Sequence, residues 1–218
     1  MIHQVFELWF KQILFELEAI RDAFTAGEVH PARHYLHRVH AIQRVLIEQI
    51  EVLETMSPQD FLEFRTNLAP ASGFQSVQFR EIEFLSGSKD PRYVERLDLA
   101  PEERARLEQR LSEPTLWDAF CTMLDARGLP MPANDEVARR ASLLTMAREP
   151  DRIDIFYLSE SLLTYDELFA LWRQRHVLMV ERQIGSKTGT GGSTGASYLR
   201  TTLDKRFYPE LWELRSYL

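Results

Sequence analysis

The fold class is decided at the start of the chain, where residues 2–24 read IHQVFELWFKQILFELEAIRDAF. Because an α-helix has 3.6 residues per turn, side chains three and four positions apart share one face. In this stretch the apolar residues follow that spacing at Ile2, Phe6, Trp9, Phe10, Ile13, Leu14, Leu17 and Ile20. The pattern predicts an amphipathic helix, and Gly27 follows where a C-terminal cap is expected.

The helical period continues through most of the 218 residues. Pro31 suits the first turn of a second helix that runs to about Met56, and Ser57-Pro58 is typical of an N-cap with a first-turn proline. No alternating run of β-branched residues predicts a strand. We therefore expect an all-α fold, a mixed helical bundle forming one domain over residues 1–218. Further helices are expected over residues 74–84, 101–111, 114–124, 135–147, 155–184 (bent near 163–164), 198–203 and 209–218.

Composition restricts the possible functions. Hydrophobic residues make up 44% and charged residues 27%, which is typical of a soluble globular protein. Charged residues interrupt every apolar stretch before it reaches the roughly 18 residues of a membrane-spanning helix. The net charge of −7 comes with no basic block, so a nucleic-acid partner is not expected. The single cysteine, Cys121, excludes an internal disulfide and is consistent with a reducing compartment.

A glycine-rich segment, residues 185–195, reads GSKTGTGGSTG and holds five of the nine glycines. It is not a Walker loop, because Ser186 stands where that motif needs glycine before the lysine. It is not a dinucleotide fingerprint either, because it follows a helix and not a strand. Its backbone N–H groups and hydroxyls favour close contact with a ligand over a plain linker.

The histidines allow more than one interpretation. Four of the six, His30, His34, His37 and His40, fall on one sector of the second helix. A metal site there is geometrically conceivable, but a solvated polar stripe is the simpler interpretation.

Two further histidines and one arginine are equally ambiguous on spacing alone. His3 and His176 are consistent with ordinary core histidines, and Arg65, four residues after Phe61, with a surface arginine beside an aromatic core residue. No Ser-His-Asp set, paired-carboxylate signature or CxxC motif supports a hydrolase or a thiol-redox enzyme. The residues by themselves indicate a helical protein with a small-anion loop.

Three blocks of sequence resemble one known family in the same order. The first comprises residues 3–4 (HQ) and 7–12 (ELWFKQ). The second comprises residues 51–65 (EVLETMSPQDFLEFR) and 68–80 (LAPASGFQSVQFR). The third comprises residues 172–176 (WRQRH), the glycine-rich segment and residues 198–200 (YLR). The chain resembles the tryptophan 2,3-dioxygenase family in all three blocks, over essentially its whole length.

The resemblance implies a helical bundle around haem b, with one haem per subunit, in a cytoplasmic homotetramer built as a dimer of dimers. It implies insertion of both atoms of O₂ across the indole C2–C3 bond of L-tryptophan, giving N-formyl-L-kynurenine. That reaction opens tryptophan catabolism through the kynurenine pathway. No nucleic-acid or membrane partner is implied.

The resemblance also assigns roles to single residues. It makes His176 the axial ligand of the haem iron and His3 the distal histidine that hydrogen-bonds the indole N–H. Arg65 is expected to bind the substrate carboxylate, with Phe61 as an aromatic wall against the indole. Thr190 is expected to contact the ammonium and carboxylate groups, and Ser72 to lie on the haem-propionate side.

The family usually carries a longer segment before the histidine that matches His3. We therefore expect a short form that lacks the family's N-terminal arm, which completes a neighbouring subunit's pocket. Two alternatives stay open at this point. One is a truncated haem-binding relative with little activity, and the other is a dioxygenase for a different indole amino acid.

Overall fold

A computed structural model describes residues 2–65, 75–189 and 194–218, and these fold as α-helices joined by short connections. The helices are α1 (Ile2–Thr25), α2 (Val29–Glu54), α3 (Pro58–Arg65), α4 (Val77–Ser86), α5 (Arg92–Arg96), α6 (Pro101–Ser112), α7 (Leu116–Ala126), α8 (Glu136–Arg148), α9 (Ile153–Ile184), α10 (Ala196–Arg200) and α11 (Pro209–Leu214), with a 3-10 turn at Pro150–Arg152. The described residues contain no strand, and the predicted all-α class is confirmed.

Three long helices form the centre of the bundle. Helix α2 packs along both α1 and α9, and α1 also packs against α4 and α7. Each contributes the apolar face expected from its period, so that their side chains exclude water from one continuous core. The fully buried side chains of these three helices include Ile13, Leu17, Ile20, Phe24, Leu36, Leu46, Tyr165 and Phe169.

Local sequence signals set several helix ends. The Ser76 hydroxyl accepts a hydrogen bond from the Phe79 N–H (3.1 Å) and caps the start of α4, which ends at Gly87 in a left-handed conformation (φ 118°). Gly27 takes the same role after α1 with φ 73°. The caps direct α4 back against α1.

The C-terminal segment is attached to α9 through a buried carboxylate. Asp166 is fully buried, and its Oδ2 accepts from the backbone N–H groups of Phe207 (2.9 Å) and Tyr208 (3.2 Å) and from Trp212 Nε1 (3.0 Å). The carboxylate satisfies N–H groups at the start of α11 that have no partner within the helix. Residues 207–212 are thereby fixed to α9, the helix that carries His176.

Three sequence-based expectations need correction or addition. Helix α5 was not predicted, because five residues carry too little period to be recognised. Helix α9 is one continuous helix that begins at Ile153, two residues before the predicted start. His40 does not belong to a solvated stripe, since it is buried and its Nε2 donates to the Ser161 carbonyl (2.9 Å). In contrast, His30, His34 and His37 are exposed.

Within the described ranges, no helix combines the length and the apolar character that crossing a bilayer requires.

Candidate active site

His176 lies near the C-terminal end of α9, at a position where the imidazole is held neutral. Burial, with a smaller contribution from His3, lowers its pKa from 6.5 to about 4. Its ring stacks on the indole of Trp172, one helical turn earlier, with centroids 5.7 Å apart and planes 23° from parallel. Neutral imidazole is the form that binds metal ions, because the ring nitrogen must offer a lone pair.

Aromatic side chains of α1 and α4 pack around Trp172 of α9. Phe6 and Phe10 of α1 lie 6.2 and 6.1 Å from its ring, and Phe79 of α4 lies 5.3 Å away. Aromatic pairs at these distances add packing energy beyond their buried area. The cluster therefore fixes α1 and α4 against the part of α9 that carries His176.

His3 occupies the first turn of α1 and is exposed. Phe6, one turn after His3, lies 6.2 Å from Trp172, which is one turn before His176, so the first turn of α1 lies beside this part of α9. The sequence separates them by most of the chain, and only the packing of α1 against the rest of the bundle brings them together.

Arg65 is the last residue of α3 and contacts the glycine-rich segment. Its Nη2 donates a hydrogen bond to the backbone carbonyl of Thr188. Phe61, one turn earlier, is half-buried. The structure thus joins the predicted carboxylate-binding arginine to the predicted ligand loop, which is separated from it by more than half the chain.

Two predicted site residues, Ser72 and Thr190, lie outside the described residues. The ends of the glycine-rich segment are described, and they are held together at its base. Glu181 of α9 pairs with Arg200 of α10 at 2.7 Å. Gly195 has φ 65°, and a Cβ there would lie 2.5 Å from the Lys187 carbonyl oxygen, so this approach requires glycine.

Hydrogen bonds and an ion pair also hold the C-terminal end of α2 against α9, and this places α3, which follows α2 in the chain. The Gln183 amide donates to the carbonyls of Leu53 (3.2 Å) and Met56 (3.0 Å). Arg175 pairs with Glu54 at 2.8 Å. These contacts set the position from which α3 presents Arg65 to the loop.

A buried charge cluster beside the site was missed by sequence reasoning. Glu83 pairs with Arg80 within α4, and its other oxygen lies 3.5 Å from Arg173 of α9 and 3.9 Å from Lys205. The Arg80 guanidinium also lies 4.1 Å from the centre of the Tyr93 ring. Arg80 and Arg173 both lie within the sequence blocks that resemble the family, and this could have drawn attention to them. Glu83, the carboxylate they share, lies outside those blocks.

The histidine-rich face of α2 gives no metal site. Within the residues that the structure describes, no three or more His, Cys, Asp or Glu side chains are arranged to hold a metal ion. His40 is buried and hydrogen-bonded to the Ser161 carbonyl, whereas the other three histidines of α2 are exposed to solvent.

Comparison with known proteins identifies the family. The family model for tryptophan 2,3-dioxygenase matches residues 1–122 and 131–218. The chain belongs to the tryptophan 2,3-dioxygenase family. A tryptophan 2,3-dioxygenase of a Nocardioides species is 60% identical over 223 aligned positions, covering 100% of this chain and 83% of that protein.

More distant members of the tryptophan 2,3-dioxygenase family agree. The Herpetosiphon aurantiacus enzyme is 43% identical and covers 99% of this chain and 85% of its own length. The Caulobacter vibrioides enzyme is 40% identical and covers 100% of this chain and 87% of its own length. The resemblance drawn from the three sequence blocks is confirmed.

Proposed function

We propose that the chain is a haem-dependent dioxygenase that converts L-tryptophan and O₂ to N-formyl-L-kynurenine, the first step of tryptophan catabolism. Family membership supports the reaction class. The carrying observation in the structure is that Arg65 of α3 contacts Thr188 of the glycine-rich segment while α3 packs on α9, the helix that carries His176. The reaction is balanced without an external reductant, because both oxygen atoms enter the product as the C2–C3 bond breaks.

The residues around His176 fit a haem. Its imidazole is neutral and makes no hydrogen bond to the described residues, which leaves a nitrogen lone pair for an axial bond. The buried Trp172 N–H beside it finds no acceptor among the described residues, so a bound group with acceptor oxygens suits this place. When bound, the haem would supply the iron that binds and activates O₂, and His176 would hold it.

The chain's own residues bind and orient the substrate. A ring nitrogen of His3 accepts a hydrogen bond from the indole N–H, and Phe61 forms an aromatic wall against the indole. Arg65 binds the carboxylate through a planar pair of N–H groups. Among the described residues, the guanidinium donates only to the Thr188 carbonyl, so its other N–H groups are available to the substrate. The family resemblance assigns Thr190 to the ammonium and carboxylate groups and Ser72 to the propionate side of the haem.

We also propose that the single domain assembles as a cytoplasmic homotetramer with one haem b per subunit. An apolar strip on α1 supports self-association, since Leu8 is 68% and Phe15 65% exposed and Val5 lies on the same face. Sedimentation of the haem-loaded protein tests the assembly, and a monomer at micromolar concentration would contradict it.

The function is tested with purified, haem-loaded protein. Adding L-tryptophan under air should consume one O₂ per tryptophan and give the absorbance of N-formyl-L-kynurenine. Isotopically labelled O₂ should place two labelled atoms in each product molecule. Haem binding with little product would support the alternative of a haem-binding relative with little activity, and turnover of another indole amino acid in preference to tryptophan would support the other alternative.

A further inference from the structure

Gln78 makes a two-point contact that no role assigned above explains. The residue lies in the first turn of α4, and its side-chain amide faces α1. Its Nε2 donates to the backbone carbonyl of Glu7 (3.0 Å) and also to the Glu7 carboxylate (2.6 Å). An amide nitrogen has two hydrogens, so one residue of α1 receives both.

The contact lies one helical turn from His3. In the described residues, the first two turns of α1 make no other side-chain hydrogen bond or ion pair to another helix. The aromatic contacts of Phe6 hold this part of α1 by packing, which is tolerant of small rotations and slides. Hydrogen bonds weaken steeply with angle, so the amide limits both movements.

We propose that Gln78 and Glu7 are positioning residues that set the place of His3 relative to the indole nitrogen of the substrate. The inference rests on the proposed function, in which His3 accepts the indole N–H. Because the two bonds run to different oxygens of Glu7, they fix the rotation of α1 about its axis and its shift along that axis. A displacement of about 1 Å at a reacting group lowers turnover substantially.

Variants of Gln78 and Glu7 distinguish the hydrogen bonds of the Gln78 amide from the packing of its side chain. Gln78→Met keeps the length of the side chain and removes both N–H groups. Gln78→Glu keeps the shape and places an acceptor against a carboxylate. Glu7→Gln retains an acceptor oxygen for Gln78 and should have little effect. Combining Gln78→Glu with Glu7→Gln reverses donor and acceptor and should restore part of the lost activity.

Gln12→Met is the matched control. Gln12 also lies on α1 and donates to a glutamate, Glu16, at 2.7 Å, but this bond stays within one helix. Its loss should leave kcat/KM for L-tryptophan within about twofold of wild type. Gln78→Met should lower kcat/KM by about three- to tenfold, and by no more than His3→Ala does, because misplacing a group cannot cost more than removing it.

The decisive measurement is a double-mutant cycle on haem-loaded protein. In the His3→Ala background, Gln78→Met should cause no further loss, because the residue it positions is gone. Equal losses in both backgrounds would overturn the positioning role. If His3→Ala itself has no effect, the proposed role of His3 fails instead, so the two failures are distinguishable.

A second readout does not depend on haem. Amide hydrogen exchange in the peptide that covers residues 2–12 should be faster in Gln78→Met than in Gln12→Met, while the unfolding midpoint of each stays close to wild type. Unchanged exchange in that peptide, or a loss of folded protein in proportion to the loss of activity, would overturn the proposal. If Gln78→Met does not fold, Gln78→Glu takes its place as the variant without the donor, and the reversed pair serves as its rescue.

Discussion

At the scale of single residues, His3 and His176 differ in what surrounds them. His176 is half-buried and stacks on Trp172, and burial lowers its pKa to about 4, whereas His3 is exposed on the first turn of α1. We expect His176→Ala to lower haem retention sharply, because the porphyrin would depend on apolar contacts alone. His3→Ala should retain haem and slow turnover moderately. Haem content from the absorption spectrum and kcat from product formation check both.

The two outcomes can be contradicted separately. A His176→Ala protein with full haem and an unchanged ferrous spectrum would refute the axial assignment. Complete loss of haem in His3→Ala would mean that the two histidines have the opposite roles.

Arg65 allows a prediction in which the ligand itself is the control. If its guanidinium binds the substrate carboxylate, Arg65→Ala should weaken L-tryptophan binding by about 2–5 kcal/mol. This corresponds to a factor of roughly 30 to several thousand, since about 1.4 kcal/mol is tenfold. Arg65→Lys should rescue only partly, because an ammonium lacks the planar two-point geometry. Titrations followed by the haem spectrum measure the affinities.

Tryptamine lacks the carboxylate and should respond little to Arg65→Ala. The structure makes this comparison necessary, because Arg65 also donates to the Thr188 carbonyl in the ligand loop. Equal losses for tryptophan and tryptamine would show that Arg65 acts by holding the loop and not by binding the carboxylate.

At the scale of elements, the helices were largely predictable and their mutual contacts were not. The period of α1 and the proline and glycine signals of α2, α3 and α4 are local, so the sequence shows them directly. The pairing of Gln78 with Glu7 joins positions 71 residues apart, and no local pattern specifies it. The same holds for the neutral state of His176, which depends on burial between helices.

The candidate site shows the same division. Spacing alone left His3, His176 and Arg65 as ordinary residues, and only the matched sequence blocks gave them roles. The structure brings Arg65 to the loop and His3 near His176, which local propensity cannot encode. The assigned chemistry of these residues stays a prediction until the variants are measured.

The glycine-rich segment supports a prediction at the scale of one loop. Gly195→Ala introduces a Cβ 2.5 Å from the Lys187 carbonyl at φ 65°, so the base of the loop must move. We expect a higher KM for L-tryptophan with haem content unchanged. Gly128→Ala is the control, since Gly128 has a similar φ of 78° and open space around it. It should cost about 1 kcal/mol of folding stability, typical of a left-handed residue, without a change in KM.

Steady-state kinetics and urea unfolding of the two glycine variants measure these effects. An unchanged KM in Gly195→Ala would contradict a role of the loop base in substrate binding. A raised KM in both variants would indicate a general effect of destabilisation.

At the scale of the whole molecule, α9 connects the site to the core. It carries His176 near one end, anchors the C-terminal segment through Asp166, and accepts a hydrogen bond from His40 at Ser161. Substitutions at these anchors therefore act on global stability, and the site follows because its axial ligand is part of the same rigid helix.

His40 links that stability to pH. Burial lowers its pKa from 6.5 to about 4, with Arg44 and His37 acting in the same direction. The unfolded chain binds the proton more readily than the folded one, so the stabilisation is complete above about pH 6.5 and is lost as the pH falls toward 4. Linkage at these two pKa values gives about 2 kcal/mol between pH 8 and pH 5.

We therefore expect wild type to lose about 2 kcal/mol more unfolding free energy than His40→Gln over that interval. Urea unfolding at a series of pH values measures it, and the difference between the two proteins cancels the contributions of His3 and His176, which both retain. The His30→Gln variant should follow wild type, because His30 is exposed on the same helix and is not among the groups that act on His40. Parallel curves for wild type and His40→Gln would show that the proton binds the folded protein as readily as the unfolded chain, and that His40 is not the residue that couples this fold to pH.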